Sequence, residues 1–127
     1  MITAMSESPA QAAPALDPED RKLVTLARSA RARNAVAEGA AVRDETGRTY
    51  VAGSVTLPSL TLSALQTAVA MAVASGARSL EAAVVVTEAD RPSEADRAAV
   101  GDLGGPDTPL ILAGPDGEVR TGVTAGS

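Results

Sequence analysis

Residues 62–76 read LSALQTAVAMAVASG. Leu62, Leu65, Val69 and Ala72 recur at three- and four-residue steps, and Ala64, Ala68, Met71 and Ser75 form a second row beside them. That spacing belongs to a helix, in which such positions share a face. It predicts a helix over 61–75, capped at its start by Thr61 or Ser59 and closed by Gly76. A helix apolar nearly all round is covered on more than one side. One side is expected to meet a sheet and the other a second subunit.

The sheet is legible on both flanks. Upstream, AAVRD (40–44) and RTYVAG (48–53) are short strand-like runs around DETG (44–47). Gly47 supplies the positive φ such a turn needs, so the segment reads as a β-hairpin, ended by Pro58 and Ser59. Before it, LDPEDRKLVTLARSARARN (16–34) opens with Asp17 as N-cap, Pro18 in the first turn, and Glu19 and Asp20 at the positive end of the dipole. Leu23, Leu26, Ala27 and Ala30 form its inner face, and the helix should end near Asn34. Downstream, LEAAVVVTEA (80–89) holds a continuous apolar run, as in a strand covered on both faces. RPSEADRAAVGDLGG (91–105) reads as a short helix in which Ser93 and Asp96 resemble a capping box. TPLILAG (108–114) is a strand and GPDG (114–117) a turn. The alternation of helices and strands after the hairpin predicts parallel strands with crossover helices, hence a three-layer α/β/α domain with a mixed sheet. Residues 1–16 are expected to be a disordered tail, 17–118 the domain, and 119–127 a flexible C-terminal tail.

Composition removes several functions. The 127 residues contain no Cys, no His, no Phe and no Trp, and Tyr50 is the single aromatic. Thiolate and imidazole ligands are therefore absent, and with them the usual zinc donors, cysteine nucleophiles and histidine bases. The net charge of −5 and the lack of stacking side chains argue against nucleic acid. The basic run RSARARN (28–34) reads as a solvated helix face. No apolar run approaches the roughly 18 residues of a membrane span, so no membrane partner is expected. Zero cysteine fits a cytoplasmic location. A core of Ala, Val and Leu buries little area per residue, which favours gaining stability by self-association. The Ala-, Arg- and Gly-rich usage suggests a GC-rich genome of actinobacterial type.

The order of elements, with particular residues, resembles the cytidine deaminase family over residues 22–118. Ala27-Arg28 matches the family's first-helix pair. Gly39-Ala40-Ala41 matches its first strand, Gly47 its hairpin turn, and Gly53 the end of its second strand. Ala68-Val69, Ala72-Val73 and Gly76 match the close of its catalytic helix, and Thr108-Pro109 and Asp116-Gly117 flank its last strand. The resemblance implies where chemistry would sit. The family holds zinc on a Cys or His opening a Cys-Ala-Glu triplet and on two Cys of a Pro-Cys-x-x-Cys turn, with the Glu as proton shuttle. Here those positions are Ser63-Ala64-Leu65 and Pro92-Ser93-Glu94-Ala95-Asp96. The family's ribose-binding Asn-x-Glu falls on Val55 and Leu57, and the segment that helps form its nucleoside pocket is shortened to NAVAEGAA (34–41).

By this correspondence Ser63, Leu65, Ser93, Asp96, Val55 and Leu57 are vestigial pocket positions, with no catalytic residue, no metal ligand and no cofactor. Ser63, Ser93 and Asp96 should converge where the zinc would be. The plainer role for the serines and Asp96 is helix capping, and Leu65 fills the old pocket with hydrocarbon. The expected protein is a degenerate, catalytically inactive family member that acts as a homo-oligomeric (dimeric or tetrameric) binding or assembly protein, with an unidentified protein partner. Two alternatives stand beside it. One is a nucleoside- or nucleotide-binding sensor without turnover, for which a small-molecule ligand has no direct sequence support. The other is a deaminase-type hydrolase with unconventional chemistry.

Overall fold

The first helix begins where its cap stands. In the computed structural model, which describes residues 16–126, Asp17 is extended and its carboxylate accepts the Glu19 N–H at 2.8 Å. Helix α1 follows over Pro18–Asn34 and buries Leu23, Val24, Ala27 and Ala30. Leu26, assigned to that face from sequence, is exposed instead. The stripe is centred between Leu23 and Ala27, and Leu26 lies past its edge while Val24 stays within it. The expected tail over 1–16 lies outside the described residues except for Leu16, which packs against the core beneath α1.

The main sheet has five strands: β1 (Gly39–Asp44), β2 (Thr49–Gly53), β5 (Leu80–Val86), β6 (Pro109–Ala113) and β7 (Val119–Thr124), in spatial order β2-β1-β5-β6-β7. β1 runs antiparallel to both β2 and β5, and β5 and β6 are parallel. The parallel pair is joined by helix α3 (Glu94–Gly104), as a crossover connection requires. The mixed sheet predicted from the element order is thus present. Gly47 adopts φ +87° in the β1–β2 turn. Gly39 matters for close approach: a Cβ there would stand 2.0 Å from the Ala27 carbonyl oxygen. Only a glycine lets the backbone of α1 rest on β1.

Two cores lie on the two faces of the sheet. On one, Leu23, Val24 and Ala27 of α1 meet Ala41, Val84, Val86 and Ile111. On the other, helix α2 (Ala64–Ala74) and Val100 of α3 cover Val42, Val85, Leu110 and Leu112. β5 alternates between them, so its apolar run is buried on both sides, as its sequence predicts. The largest fully buried side chains are all Leu or Val. Each contributes about 1.5–3 kcal/mol when withdrawn from water, and the layers sit close because the residues between them are Ala and Gly.

Two sequence expectations are corrected. The helix predicted over 61–75 starts three residues later. Residues 60–62 instead form β4 (Leu60–Leu62), which pairs antiparallel with β3 (Val55–Leu57) in a small separate hairpin turned at Pro58-Ser59. Leu-Thr-Leu fits strand alternation as well as helical spacing, and Ser63, neither Thr61 nor Ser59, is the cap. The C-terminal stretch assigned to a flexible tail carries β7, paired with β6 from Pro109↔Thr124 to Ala113↔Val119. Beyond it, the Ala125 N–H reaches the Thr108 carbonyl at 2.9 Å, and Ala125 is buried. β7 completes the sheet by pairing the edge of β6, a partnership set by register and invisible in its weak local pattern.

Candidate functional site

Ser63 ends the small hairpin and starts α2. Its Oγ accepts the Gln66 N–H at 3.0 Å, and Gln66 Oε1 accepts the Ser63 N–H at 2.9 Å, so two orphan donors of the helix start are satisfied reciprocally. The same hydroxyl donates to Asp96 Oδ1 at 2.5 Å. Asp96 comes from the first turn of α3, where its own N–H donates to Ser93 Oγ at 3.1 Å. The three positions therefore converge, linked through Asp96, and both helix starts are tied together. The capping box expected at Ser93 forms only by half, because the Asp96 side chain turns across to Ser63.

Asp96 is only 2% exposed. Burial raises its carboxyl above the ordinary value, and hydrogen bonds with Ser63 and Ser93 partly offset that. Leu65, one residue into α2, is wholly buried in the core cluster under the helix. It offers nothing to a ligand.

Beside Ser63 lies a cavity of about 580 Å³ lined by Glu38, Ser54, Thr56, Thr61, Ser63 and Thr87, together with the Arg31–Glu88 ion pair at 3.3 Å. Val55 and Leu57 do not line it. They flank Thr56 along β3 and point away from its side, and Leu57 is exposed. The residue that sequence reasoning missed is Glu38. Burial first, and then the negative charge of Asp96, push its carboxyl up; hydrogen bonds from the Thr87 hydroxyl and the Ala64 N–H pull the other way. Glu38 is the only charged residue in the run 35–42. An isolated acid entering an apolar strand was the signal available.

The cavity thus presents hydroxyls and the Glu38 carboxyl, which burial raises above its ordinary value, beside the Arg31–Glu88 ion pair. Among the described residues, no group of three or more His, Cys, Asp or Glu is placed to hold a metal ion. No helix among them is long and apolar enough to cross a membrane.

The family model for cytidine deaminase-like proteins matches residues 16–117. Among solved structures, the cytidine deaminase from Burkholderia pseudomallei is 29% identical with a TM-score of 0.73, over 83% of this chain and 91% of that one. The cytidine deaminase from Mycobacterium leprae is 25% identical, with a TM-score of 0.64 over 82% of this chain and 91% of that one. The enzyme from Mycobacterium tuberculosis shares the fold at 24% identity and a TM-score of 0.65, over 87% and 93%. No curated protein sequence matches the chain significantly. With the family model spanning most of its length and the sheet, helices and glycines in agreement, the chain belongs to the cytidine deaminase-like family.

Proposed function

We propose that this family member has lost the zinc site and with it hydrolytic deamination, and that it acts in the cytoplasm as a homo-oligomeric binding or assembly protein. The observation that carries the proposal is the Ser63–Asp96 hydrogen bond of 2.5 Å at the start of α2. The donors at the metal position are two hydroxyls and a carboxylate, already engaged with one another and with helix N–H groups. Zinc in proteins of this kind takes thiolate or imidazole, and the chain contains neither. The set does not fit zinc. Leu65 also supports the reading, since a buried hydrocarbon at the position of the proton shuttle cannot move a proton.

Assembly is supported by the outer face of α2. Val73 is 53% exposed and lines an apolar groove of about 350 Å³ between α2 and α3 with Val69, Ala70, Ala99 and Leu103; Met71, 41% exposed, lies on another side of the helix. A monomer rarely leaves such a patch open without use. Light scattering on the purified chain at micromolar concentration should return a multiple of the chain mass. The double variant Met71→Lys, Val73→Lys should return the monomer mass. A monomeric parent protein would remove the assembly reading.

A second reading rests on the cavity itself. Glu38 and several hydroxyls line an open pocket of a size that suits a small molecule, which favours ligand binding without turnover. A panel of nucleosides and nucleotides tests it: a thermal shift in the parent that disappears in Glu38→Gln supports it, and no shift with any member ends it.

A further inference from the structure

We propose that a second cavity, on the far side of the β5–α3 loop from the Ser63 site, binds a phosphate group borne by a small molecule. It has a volume of about 480 Å³ and is lined by Asp90, Arg91, Pro92, Arg97, Thr121 and Val123. Two of the six are arginines, in a chain whose net charge is −5.

Among the described residues, neither arginine has an ion-pair partner. The four ion pairs among the described residues involve Lys22, Arg31 and Arg43, with Arg43 in two of them. Neither Arg91 nor Arg97 takes part. Asp90 lines the same cavity, yet neither arginine lies within ion-pair distance of it. Arg97 Nε is buried and has no hydrogen-bond partner among the described residues. A buried guanidinium N–H without an acceptor is costly, and native proteins normally supply one. The buried Nε itself is out of reach from the cavity, but the outer Nη groups of Arg97 are not so enclosed, and an oxyanion in the cavity would meet them and the Arg91 guanidinium, with the Thr121 hydroxyl as a further donor.

The walls are held in place. Arg120 donates to the Glu88 and Ala89 carbonyls at 3.2 and 3.1 Å, and Arg31 pairs with the Glu88 carboxylate, so the loop is pinned from β7 and from α1. Pro92 stiffens the approach to α3, and the Ser93 cap fixes where Arg97 leaves the helix. Two guanidinium forks on a fixed frame match the several oxygens of a phosphate better than the two of a carboxylate. The volume exceeds what a lone inorganic phosphate fills, which points to a phosphomonoester.

The site shares no lining residue with the Ser63 cavity, so its test is independent of the loss of zinc. Titration calorimetry on the full chain would use inorganic phosphate, ribose 5-phosphate, and ribose with chloride at matched ionic strength. Ribose 5-phosphate should bind, and Arg91→Gln, at an exposed position, should weaken it by about tenfold, as loss of one charge-assisted contact does. Arg97→Lys, which keeps the charge but not the fork, should weaken it as well. Unfolding midpoints without ligand should be unchanged in Arg91→Gln. Equal affinity for inorganic phosphate would assign the site to the free ion, and weaker affinity to the ester; either outcome keeps the phosphate site. Heat that ribose with chloride reproduces, affinity unchanged in both variants, or no binding up to about 10 mM, weaker than any affinity on the usual scale, would overturn it.

Discussion

Burial alone would raise the Asp44 carboxyl, but four hydrogen bonds outweigh it and hold it down to about 2, from an ordinary 3.8. They come from Thr46 Oγ1 and N, Arg48 N and Tyr50 Oη, at 2.7–3.0 Å. The unfolded chain therefore binds a proton before the folded one does, and the stability contributed above pH 3.8 is lost as pH falls toward 2. Asp44→Asn should cost roughly 1–3 kcal/mol at pH 7 and should flatten that acid limb, as urea denaturation across pH will report. Asp96 has the opposite sign: its carboxyl is raised by burial, so ionising it costs stability as pH climbs past the ordinary value. Asp96→Asn should cost less at neutral pH than Asp44→Asn. Leu65→Glu, which puts an acid where the proposed reading locates the proton shuttle, should cost about 3 kcal/mol or more because the site is wholly buried; a variant as stable as the parent would show that the side chain is not enclosed. At this scale the sequence announced Ser63, Leu65, Ser93 and Asp96, each on its helix start. Glu38 stood out only as a lone acid ahead of β1, because its partners Thr87 and Ala64 lie far along the chain and meet it only in the fold.

Elements were legible wherever their signal was local. Asp17 and Pro18 marked the start of α1, Gly47 the hairpin turn, and the valines of β5 a strand buried on both faces. The β3–β4 hairpin and β7 were not legible, because short segments such as Leu60–Leu62 and Val119–Thr124 carry too little pattern and are fixed by pairing with strands elsewhere. Ser63 is the joint between these two classes: it ends a strand and caps a helix. Ser63→Ala removes the α2 capping box and leaves Asp96 buried without its donor, and should lower stability by about 1–3 kcal/mol. Ser63→Thr should recover most of the loss, measured as the urea midpoint. Truncation after Glu118 tests β7. It uncovers the edge of β6 and should produce aggregation or a lower unfolding temperature; a truncated chain that remains as stable as the parent would mean that β7 contributes nothing to the sheet.

At the scale of the molecule, the layered fold is that of the cytidine deaminase-like family, while the start of α2 is closed by the Ser63–Asp96 hydrogen bond and the buried Leu65. Small residues carry the close packing: Gly39 under α1, Ala68 and Ala72 in the core beneath α2. Cys and His, the usual zinc donors, are absent from the whole sequence. Met71 and Val73 of α2 are exposed, which puts the proposed oligomer contact on that helix. Loss of the zinc site stands or falls on bound zinc and uridine formation, measured together on the purified full chain supplied with zinc and cytidine. A chain without the site should hold no stoichiometric zinc and form no uridine above the uncatalysed background; one zinc per chain with steady release of uridine would show that the site and its chemistry survive.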